Sequence, residues 1–383
     1  DEGLYLFANT LEIGKLEQLN RGISTLILPL ELTELPQPEI FPNLRHLAID
    51  SMHNKFWSNP EPLKVPLVSF NTYGWKCAGI KLLPPTLVSL QISFADTPAP
   101  EFWSSCPLYD PSTGHQLFPE LTSLTFRGSA PPIANLPPGL THLYLYDALS
   151  ETREKIHQLD KFPPRLRSLD YNSNTPGLTA KLFVDALPEG LTSLRTTCSG
   201  VKQLDNELIR LLPRGLMSLT VEAQLGSSPK IETGPDTQTY LLPAPNHDND
   251  AHQGGHHHAS SDPTQDASAP PPESEFTGDE FPPELRTLRC LRLRPISIRL
   301  PKTLTSLTLS REKGNDPIVV PLPSTLTYLA DAPLCPYHFH LLPPNLKNVH
   351  CKITPSEPSG SIDVSRITRL PGKITTLNLS GYI

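Results

Sequence analysis

One phrase recurs along the whole chain. LPPGLTHLYLYD spans residues 136–147, and close copies begin at residue 83 (LPPTLVSLQIS), 187 (LPEGLTSLRTT) and 300 (LPKTLTSLTLS). Alignment of the chain on itself gives the template (L/F)-P-x-x-L-x-x-L-x-L, with some copies degenerate or shortened. The copies begin near residues 19, 41, 65, 83, 118, 136, 162, 187, 212, 281, 300, 322, 342 and 370. Residues 1–383 are therefore predicted to form a single array of about fourteen repeated units.

The chemistry of one unit predicts a short strand with one buried face. Leu143 and Leu145 are two residues apart, so both side chains point to the same face of a strand. Leu140 anchors the entry to that strand, and the leading Leu136-Pro137 pair suits an extended approach because proline fixes φ and has no N–H. A single unit cannot bury its leucines. Stacked units would form a parallel sheet with a continuous internal column of leucines.

The spacing of L-x-x-L-x-L at about 20–28 residues resembles the leucine-rich-repeat superfamily. The Leu-Pro lead-in followed by LTSL is similar to the short repeats of bacterial secreted effectors and to the FNIP repeats of social amoebae. The asparagine that usually follows the strand is mostly missing, and Asn174 is one of few candidates. The resemblance implies an α/β fold, a curved horseshoe solenoid whose parallel sheet lies on the concave face and binds proteins. Short helices, 3-10 turns and extended segments would lie on the convex face.

The segments between the strands differ in length. Apolar residues at helical spacing predict short helices within residues 150–162, 178–187 and 201–212. Repeats of 18–22 residues have room only for extended or 3-10 segments. A 35-residue step contains residues 97–117, predicted to be an ordered loop, and residues 1–18 are predicted to be an N-terminal cap or a broken repeat.

The 69-residue step contains an acidic, histidine- and proline-rich insertion, residues 246–280. This insertion holds eight carboxylates and no Lys or Arg, against a net charge of −7 for the whole chain. It has almost no large apolar residues, which predicts disorder. The remainder is close to neutral, which argues against a broad nucleic-acid interface. The sequence contains no run of about 18 apolar residues and therefore predicts no membrane span. Six scattered cysteines favour reduced thiols in a cytoplasmic protein, with secretion as the alternative.

No catalytic motif, cofactor motif or compact metal motif is present. Neither H-E-x-x-H, nor G-x-S-x-G, nor a phosphate-binding glycine loop occurs. Cys335, His338, His340, His350 and Cys351 are residue types that bind zinc, but their spacing matches no compact zinc motif. The sequence therefore predicts a non-catalytic protein without a cofactor or a metal.

Candidate binding residues lie between the last two apolar anchors of each unit, where the side chain faces the concave side. Large polar groups at these positions, or two residues earlier, are expected to contact a partner. They are His142, Tyr144, Asp170, Arg195, Arg289, Tyr328 and His350. The first four fall in successive repeats and form the favoured cluster, because tyrosine and arginine are enriched among residues that dominate binding energy.

The three tryptophans, Trp57, Trp75 and Trp103, follow early strands at equivalent places and predict an aromatic edge. They either pack the 97–117 loop onto that edge or form an exposed patch for a partner.

Three functions fit these features. The first is a scaffold or adaptor that binds a protein on the concave face. The second is the substrate-recognition region of a larger enzyme, such as a ubiquitin ligase. The third is a receptor-type ectodomain. The partner and the oligomeric state are not indicated by the sequence.

Overall fold

The computed structural model describes residues 4–5, 23–32, 39, 41–52, 62–75, 77–94, 103, 108–128, 131–146, 159–172, 178–197, 203–204, 206–225, 281–293, 300–309, 321–334, 336–353 and 370–381. All described residues belong to one compact unit, formed by residues 1–227 and 276–383. The predicted disordered insertion, residues 246–280, lies outside the described residues.

Each of the fourteen copies of the template contributes one strand. Two further strands have two residues each. In chain order the strands are β1 (Leu4–Tyr5), β2 (Thr25–Leu32), β3 (His46–Met52), β4 (Ser69–Trp75), β5 (Ser89–Phe94), β6 (Ser123–Arg127), β7 (His142–Tyr146), β8 (Ser168–Tyr171), β9 (Ser193–Thr196), β10 (Gln203–Leu204), β11 (Ser218–Leu225), β12 (Thr287–Leu293), β13 (Ser306–Leu309), β14 (Tyr328–Leu334), β15 (Asn348–Ile353) and β16 (Thr376–Gly381).

Within the described residues these strands form one sixteen-stranded sheet. Its order follows the chain from β1 to β9 and from β11 to β16, and β10 pairs with β11 beside this path. Neighbouring strands are parallel, as in β7 with β8 and β8 with β9. This topology is the stacking that the repeated leucines predict. Leu4–Tyr5 pairs with β2, and the assignment of residues 1–18 as a cap or a broken repeat stays a prediction.

The proline of the template occupies a reverse turn. In L-P-x-x-L the proline carbonyl accepts a hydrogen bond from the leucine N–H three residues later, as from Leu140 to Pro137 at 3.2 Å and from Leu191 to Pro188 at 3.1 Å. Two shortened copies place phenylalanine there, so Leu44 donates to Phe41 and Leu121 donates to Phe118, both at 3.2 Å. This closed turn reverses the chain into the next strand, which explains why the same spacing precedes almost every strand.

In many copies a threonine directly follows the leucine that closes the turn, and its hydroxyl links consecutive repeats. The Thr141 hydroxyl donates to the Thr122 carbonyl at 3.1 Å, and the Thr327 hydroxyl donates to the Thr305 carbonyl at the same distance. Thr192 makes the equivalent bond to Arg167 at 3.0 Å. The phrase LTSL therefore satisfies backbone carbonyls at the entrance to the sheet.

The core is the predicted column of leucines, in which Phe70 and Phe126 take the place of a leucine. Leu140 and Leu143 are fully buried, and Leu145 is nearly so. Seven phenylalanines are fully buried at positions 41, 70, 118, 126, 183, 281 and 339. At the edge strand β16 the equivalent Leu377 is 39% exposed, because the described sheet has a neighbouring strand on only one side of it.

The connecting segments match two of the three predicted helices. The first helix, α1, spans Ala180–Asp185 and the second, α2, spans Asn206–Leu211. The Thr179 hydroxyl caps α1 by accepting from the Leu182 N–H at 3.3 Å. The helix predicted within residues 150–162 falls largely outside the described residues. Short repeats carry 3-10 turns at Cys77–Leu82, Ile133–Asn135 and Pro336–Leu341.

The described end of the 97–117 loop is ordered by one carboxylate. Asp110 accepts from the Ser112 N–H at 2.9 Å, the Ser112 hydroxyl at 2.6 Å and the Thr113 hydroxyl at 2.7 Å. These bonds to the charged form lower the pKa of Asp110 to about 2. The turn leads into an antiparallel bridge between Tyr109 and Gln116.

Candidate functional site

The candidate binding positions form one continuous row across the sheet. Each residue between the two apolar anchors is the Cα partner of its equivalent in the next strand, from Ile27 in β2 to Asn378 in β16. The row runs Ile27, Ala48, Asn71, Gln91, Thr125, Tyr144, Asp170, Arg195, Thr220, Arg289, Thr308, Ala330, His350 and Asn378. This face lies opposite the leucine column, and we call it the polar sheet face.

A second row lies two residues earlier in every strand and consists mostly of serine and threonine. His142 and Tyr328 are its large members among the candidates, aligned with Ser123 and Ser306 of the preceding strands. Small neighbours leave space around large side chains on this face.

A third row lies two residues after the first and holds large polar groups on β4, β6 and β7. Tyr73 pairs with Ser93, Ser93 with Arg127, and Arg127 with Tyr146. Glycine with a positive φ follows two of these residues. Gly74, at +71°, lies inside β4 where the register with β5 shifts, and Gly128, at +97°, directly follows β6. Both glycines directly follow a large polar residue of this row. Their positive φ angles are ones that residues other than glycine rarely adopt.

Arg127 lies between two tyrosine rings. Its guanidinium carbon is 5.6 Å from the ring centroid of Tyr73 and 5.5 Å from that of Tyr146. The small side chain of Ser93 separates Arg127 from Tyr73 in the row. Both distances lie within the range of favourable cation–π contacts, each of about 0.5–1 kcal/mol at exposed sites. The arginine is thus held in place by its neighbours while it remains exposed.

Asp170 connects Tyr146 to Arg195. The Tyr146 hydroxyl donates to Asp170 Oδ2 at 2.7 Å, and Arg195 Nη1 lies 3.7 Å from the same oxygen. The Arg195 side chain is 54% exposed and that of Asp170 is 7% exposed. Asp170 Oδ1 is buried without a hydrogen-bond partner among the described residues. The carboxylate therefore fixes a tyrosine on one side and an arginine on the other.

The environment of Tyr146 raises the pKa of its hydroxyl above 10.0. Burial is the largest cause, followed by the hydrogen bond to Asp170 and the charge of that carboxylate. Arg195 and Arg127 act in the opposite direction. The hydroxyl therefore stays protonated and keeps donating to Asp170 throughout the neutral range.

Gln91 extends this arrangement to the other end, where its Nε2 donates to the Tyr73 hydroxyl at 3.3 Å. Together these contacts form a chain of six side chains that we call the Arg127 network. Its members are Gln91, Tyr73, Arg127, Tyr146, Asp170 and Arg195. The network crosses β4 to β9, about 24 Å at the usual spacing of neighbouring strands.

Three observations decide the architecture. Each L-x-x-L-x-L unit contributes one strand, the strands pair in parallel in chain order, and a leucine column lies behind the polar sheet face. The fold is a leucine-rich-repeat solenoid. No protein-family model matches the sequence, and no curated protein matches it.

Two solved leucine-rich-repeat structures are similar to this chain. One is CroV588, a novel circular LRR protein, with 15% identity and a TM-score of 0.45 over 94% of this chain and 50% of CroV588. The other is YopM from Yersinia enterocolitica WA-314, with 17% identity and a TM-score of 0.35 over 94% of this chain and 69% of YopM. The chain thus spans half the length of CroV588. The assignment of the solenoid rests on the strands and registers above.

The favoured cluster is brought together on the solenoid, with one correction. Tyr144, Asp170 and Arg195 are direct neighbours in the first row, and the exposed His142 lies one row away on β7. Asp170 is predicted to contact a partner, yet the residue is only 5% exposed. The reason is that Tyr146 and Arg195 lie against its carboxylate, so Asp170 supports the surface and contributes little to it.

The other candidates lie apart from this cluster. Arg289 is exposed on β12, separated from Arg195 by Thr220. The rings of Tyr328 and His350 lie 6.0 Å apart on β14 and β15. That pair is four strand spacings from Arg195, about 20 Å.

Of the three tryptophans of the predicted aromatic edge, the structure describes the side chain of Trp103. Trp103 is 3% exposed and packs edge-on against Phe94 at 5.9 Å and against Phe126 at 5.6 Å. Trp103 therefore packs the loop onto the solenoid. The alternative prediction, an exposed aromatic patch, is wrong for Trp103. Trp57 lies outside the described residues, and only the backbone of Trp75 is described.

The described residues contain no group of three or more metal-binding side chains. Cys290 and Cys351 are buried free thiols. Burial, with a smaller effect of the Asp331 charge, raises the pKa of Cys351 to about 12, so this thiol is unreactive at neutral pH. No helix in the described part of the chain has the length and apolar character needed to span a membrane.

Sequence reasoning missed Tyr73, Arg127 and Tyr146 as members of the polar sheet face. The available signal was the alternation of a strand, which continues two residues beyond the last variable position. The template ends at its last leucine, so the third row fell outside it.

Proposed function

We propose that this solenoid is a non-catalytic scaffold that binds a protein partner on its polar sheet face, centred on β6 to β9. The observation that supports this most is the Arg127 network. Large polar side chains that could each move freely are instead held by one another on an open sheet surface.

Such an arrangement favours binding for a physical reason. Ordering a flexible side chain on association costs about 0.5–1.5 kcal/mol, and a side chain that is already held avoids much of that cost. Tyrosine and arginine dominate the binding energy of many interfaces. Tyr144 stands beside Asp170 in the first row and is partly exposed, so it would supply contact area next to the network.

A double substitution on the face tests this proposal. The variant Tyr144→Ala with Arg195→Ala removes two large side chains from the polar sheet face. The matched control, Lys181→Ala with Leu211→Ala, removes one cation and one large exposed side chain from α1 and α2. Thermal unfolding should show that both variants fold like the parent chain.

Affinity purification from the native host, followed by mass spectrometry, provides the comparison. The face variant should lose at least one protein that the parent chain and the helix variant both retain. If the helix variant loses the partner and the face variant retains it, the proposal is wrong.

A further inference from the structure

We propose that the partner presents an acidic, extended segment to β6–β9, and that Arg127 and Arg195 bind its carboxylates. This inference rests on the proposed function, because it assigns a chemistry to the ligand of the same face.

The exposed formal charges on this part of the polar sheet face are all positive. Across the three rows of the polar sheet face on β4 to β9, the formally charged side chains are Arg127, Asp170 and Arg195. Asp170 is buried, whereas both arginines are exposed. A partner approaching this surface therefore meets cationic groups surrounded by tyrosine hydroxyls, amides and serines, which complements an acidic segment.

The two arginines keep donors for a ligand. Among the described residues, no carboxylate pairs with Arg127, whose contacts there are the rings of Tyr73 and Tyr146. Stacking uses the faces of a guanidinium and leaves its N–H edge for carboxylate oxygens. Arg195 contacts Asp170 through one nitrogen at 3.7 Å, which is long for a charged hydrogen bond. A ligand carboxylate can therefore make a shorter bond to it.

Asp170 acts as a positioning residue for this pair. Its Oδ2 atom holds the Tyr146 hydroxyl at 2.7 Å, and the Tyr146 ring supports Arg127 at 5.5 Å. The same oxygen faces Arg195. One buried carboxylate thus fixes the places of both cationic groups while its own side chain is only 7% exposed.

The register sets the spacing of the ligand carboxylates. Arg127 on β6 and Arg195 on β9 are three strand spacings, or about 14 Å, apart across the sheet, and two residues, or about 7 Å, apart along the strands, which places them about 16 Å apart. An extended peptide advances about 3.3 Å per residue. The acidic side chains that reach both arginines are therefore expected about four to five residues apart in a segment that crosses the strands diagonally.

A displayed library of random peptides, each about nine residues long and able to span this distance when extended, provides the probe, with the full chain as bait. Asp and Glu should be enriched over the starting library at two positions about four to five residues apart. Synthetic copies of the enriched peptides should bind Arg127→Gln with Arg195→Gln about tenfold more weakly than the parent, as expected when charged contacts are removed. The variant Arg165→Gln with Arg214→Gln, which removes two exposed charges in turns before β8 and β11, should bind like the parent.

Three outcomes would overturn the inference. The enriched peptides could lack acidic residues, or the two double variants could weaken binding equally, which would indicate attraction to net charge alone. Acidic peptides could also be recovered only after deletion of residues 246–280, which would make this chain's own acidic segment the occupant. If Tyr144→Ala with Arg195→Ala still loses the cellular partner in the first two cases, the face binds a protein of another chemistry and the proposed function stands.

Discussion

At the scale of single residues, the polar sheet face depends on a buried charge. Asp170 stands in a row of surface positions, yet Tyr146 and Arg195 cover it. A buried carboxylate is stabilised by hydrogen bonds and nearby cations, and loss of one such partner is costly. The Tyr146 hydroxyl therefore supports the fold and orders the surface at the same time.

The raised pKa of Tyr146 predicts a pH dependence of stability. The folded chain holds the phenolic proton above pH 10.0, where the unfolded chain releases it. The stabilisation from this group is therefore complete below that pH and is lost as the pH rises through the folded-state pKa. Replacement of Tyr146 with Phe removes the effect.

Urea denaturation of the parent and Tyr146→Phe on both sides of pH 10 measures this difference. Above pH 10 the free energy of unfolding of the parent should fall more steeply than that of the variant. Parallel pH profiles for the two proteins would show that the hydroxyl is not held by Asp170.

At the scale of elements, each strand depends on its leucines more than on its entry threonine. Leu143 is fully buried in β7, so Leu143→Ala should lower the free energy of unfolding by about 2–5 kcal/mol. Thr141→Ala removes the hydroxyl hydrogen bonds to the Thr122 carbonyl and to His142 Nδ1 at the exposed surface, and a typical hydrogen bond contributes about 0.5–1.5 kcal/mol. Chemical denaturation of both variants provides the comparison, and equal losses would contradict the assigned register.

The register of the strands was predictable because the template repeats the same leucine offsets in every copy. Residues at equal offsets from those leucines become partners, which placed Tyr144, Asp170 and Arg195 side by side. The contacts beyond the template were not predictable in this way. Whether Arg127 reaches Tyr73 depends on the serine between them, on the irregular register at Gly74 and on the end of β6 before Gly128. The burial of Asp170 likewise depends on side chains from two other repeats.

At the scale of the whole molecule, the longest break in the repeat does not interrupt the sheet. β11 and β12 are direct neighbours in register, from Ser218 with Thr287 to Val221 with Cys290, although residues 246–280 separate them in sequence. After removal of residues 246–280, the connection between β11 and β12 is still longer than residues 197–217, the connection between β9 and β11.

Deletion of residues 246–280 should therefore leave the thermal midpoint of the solenoid nearly unchanged. The segment has few large apolar residues with which to stabilise a core. Thermal unfolding of the deleted and full chains measures the difference. A cooperative loss of structure in the deleted chain would show that the segment supports the repeats.

Site-specific photo-crosslinking tests the central claim, protein binding on the polar sheet face, most directly. A photoreactive phenylalanine analogue replaces Tyr144 on β7 in one sample and the exposed Lys181 on α1 in another, and both chains are irradiated in the native host. Mass spectrometry then identifies the attached proteins. We predict a specific adduct from position 144 that Arg195→Ala diminishes, and none of the same protein from position 181. An adduct with that protein from position 181 alone would place the interface on the helical side of the solenoid and contradict this account.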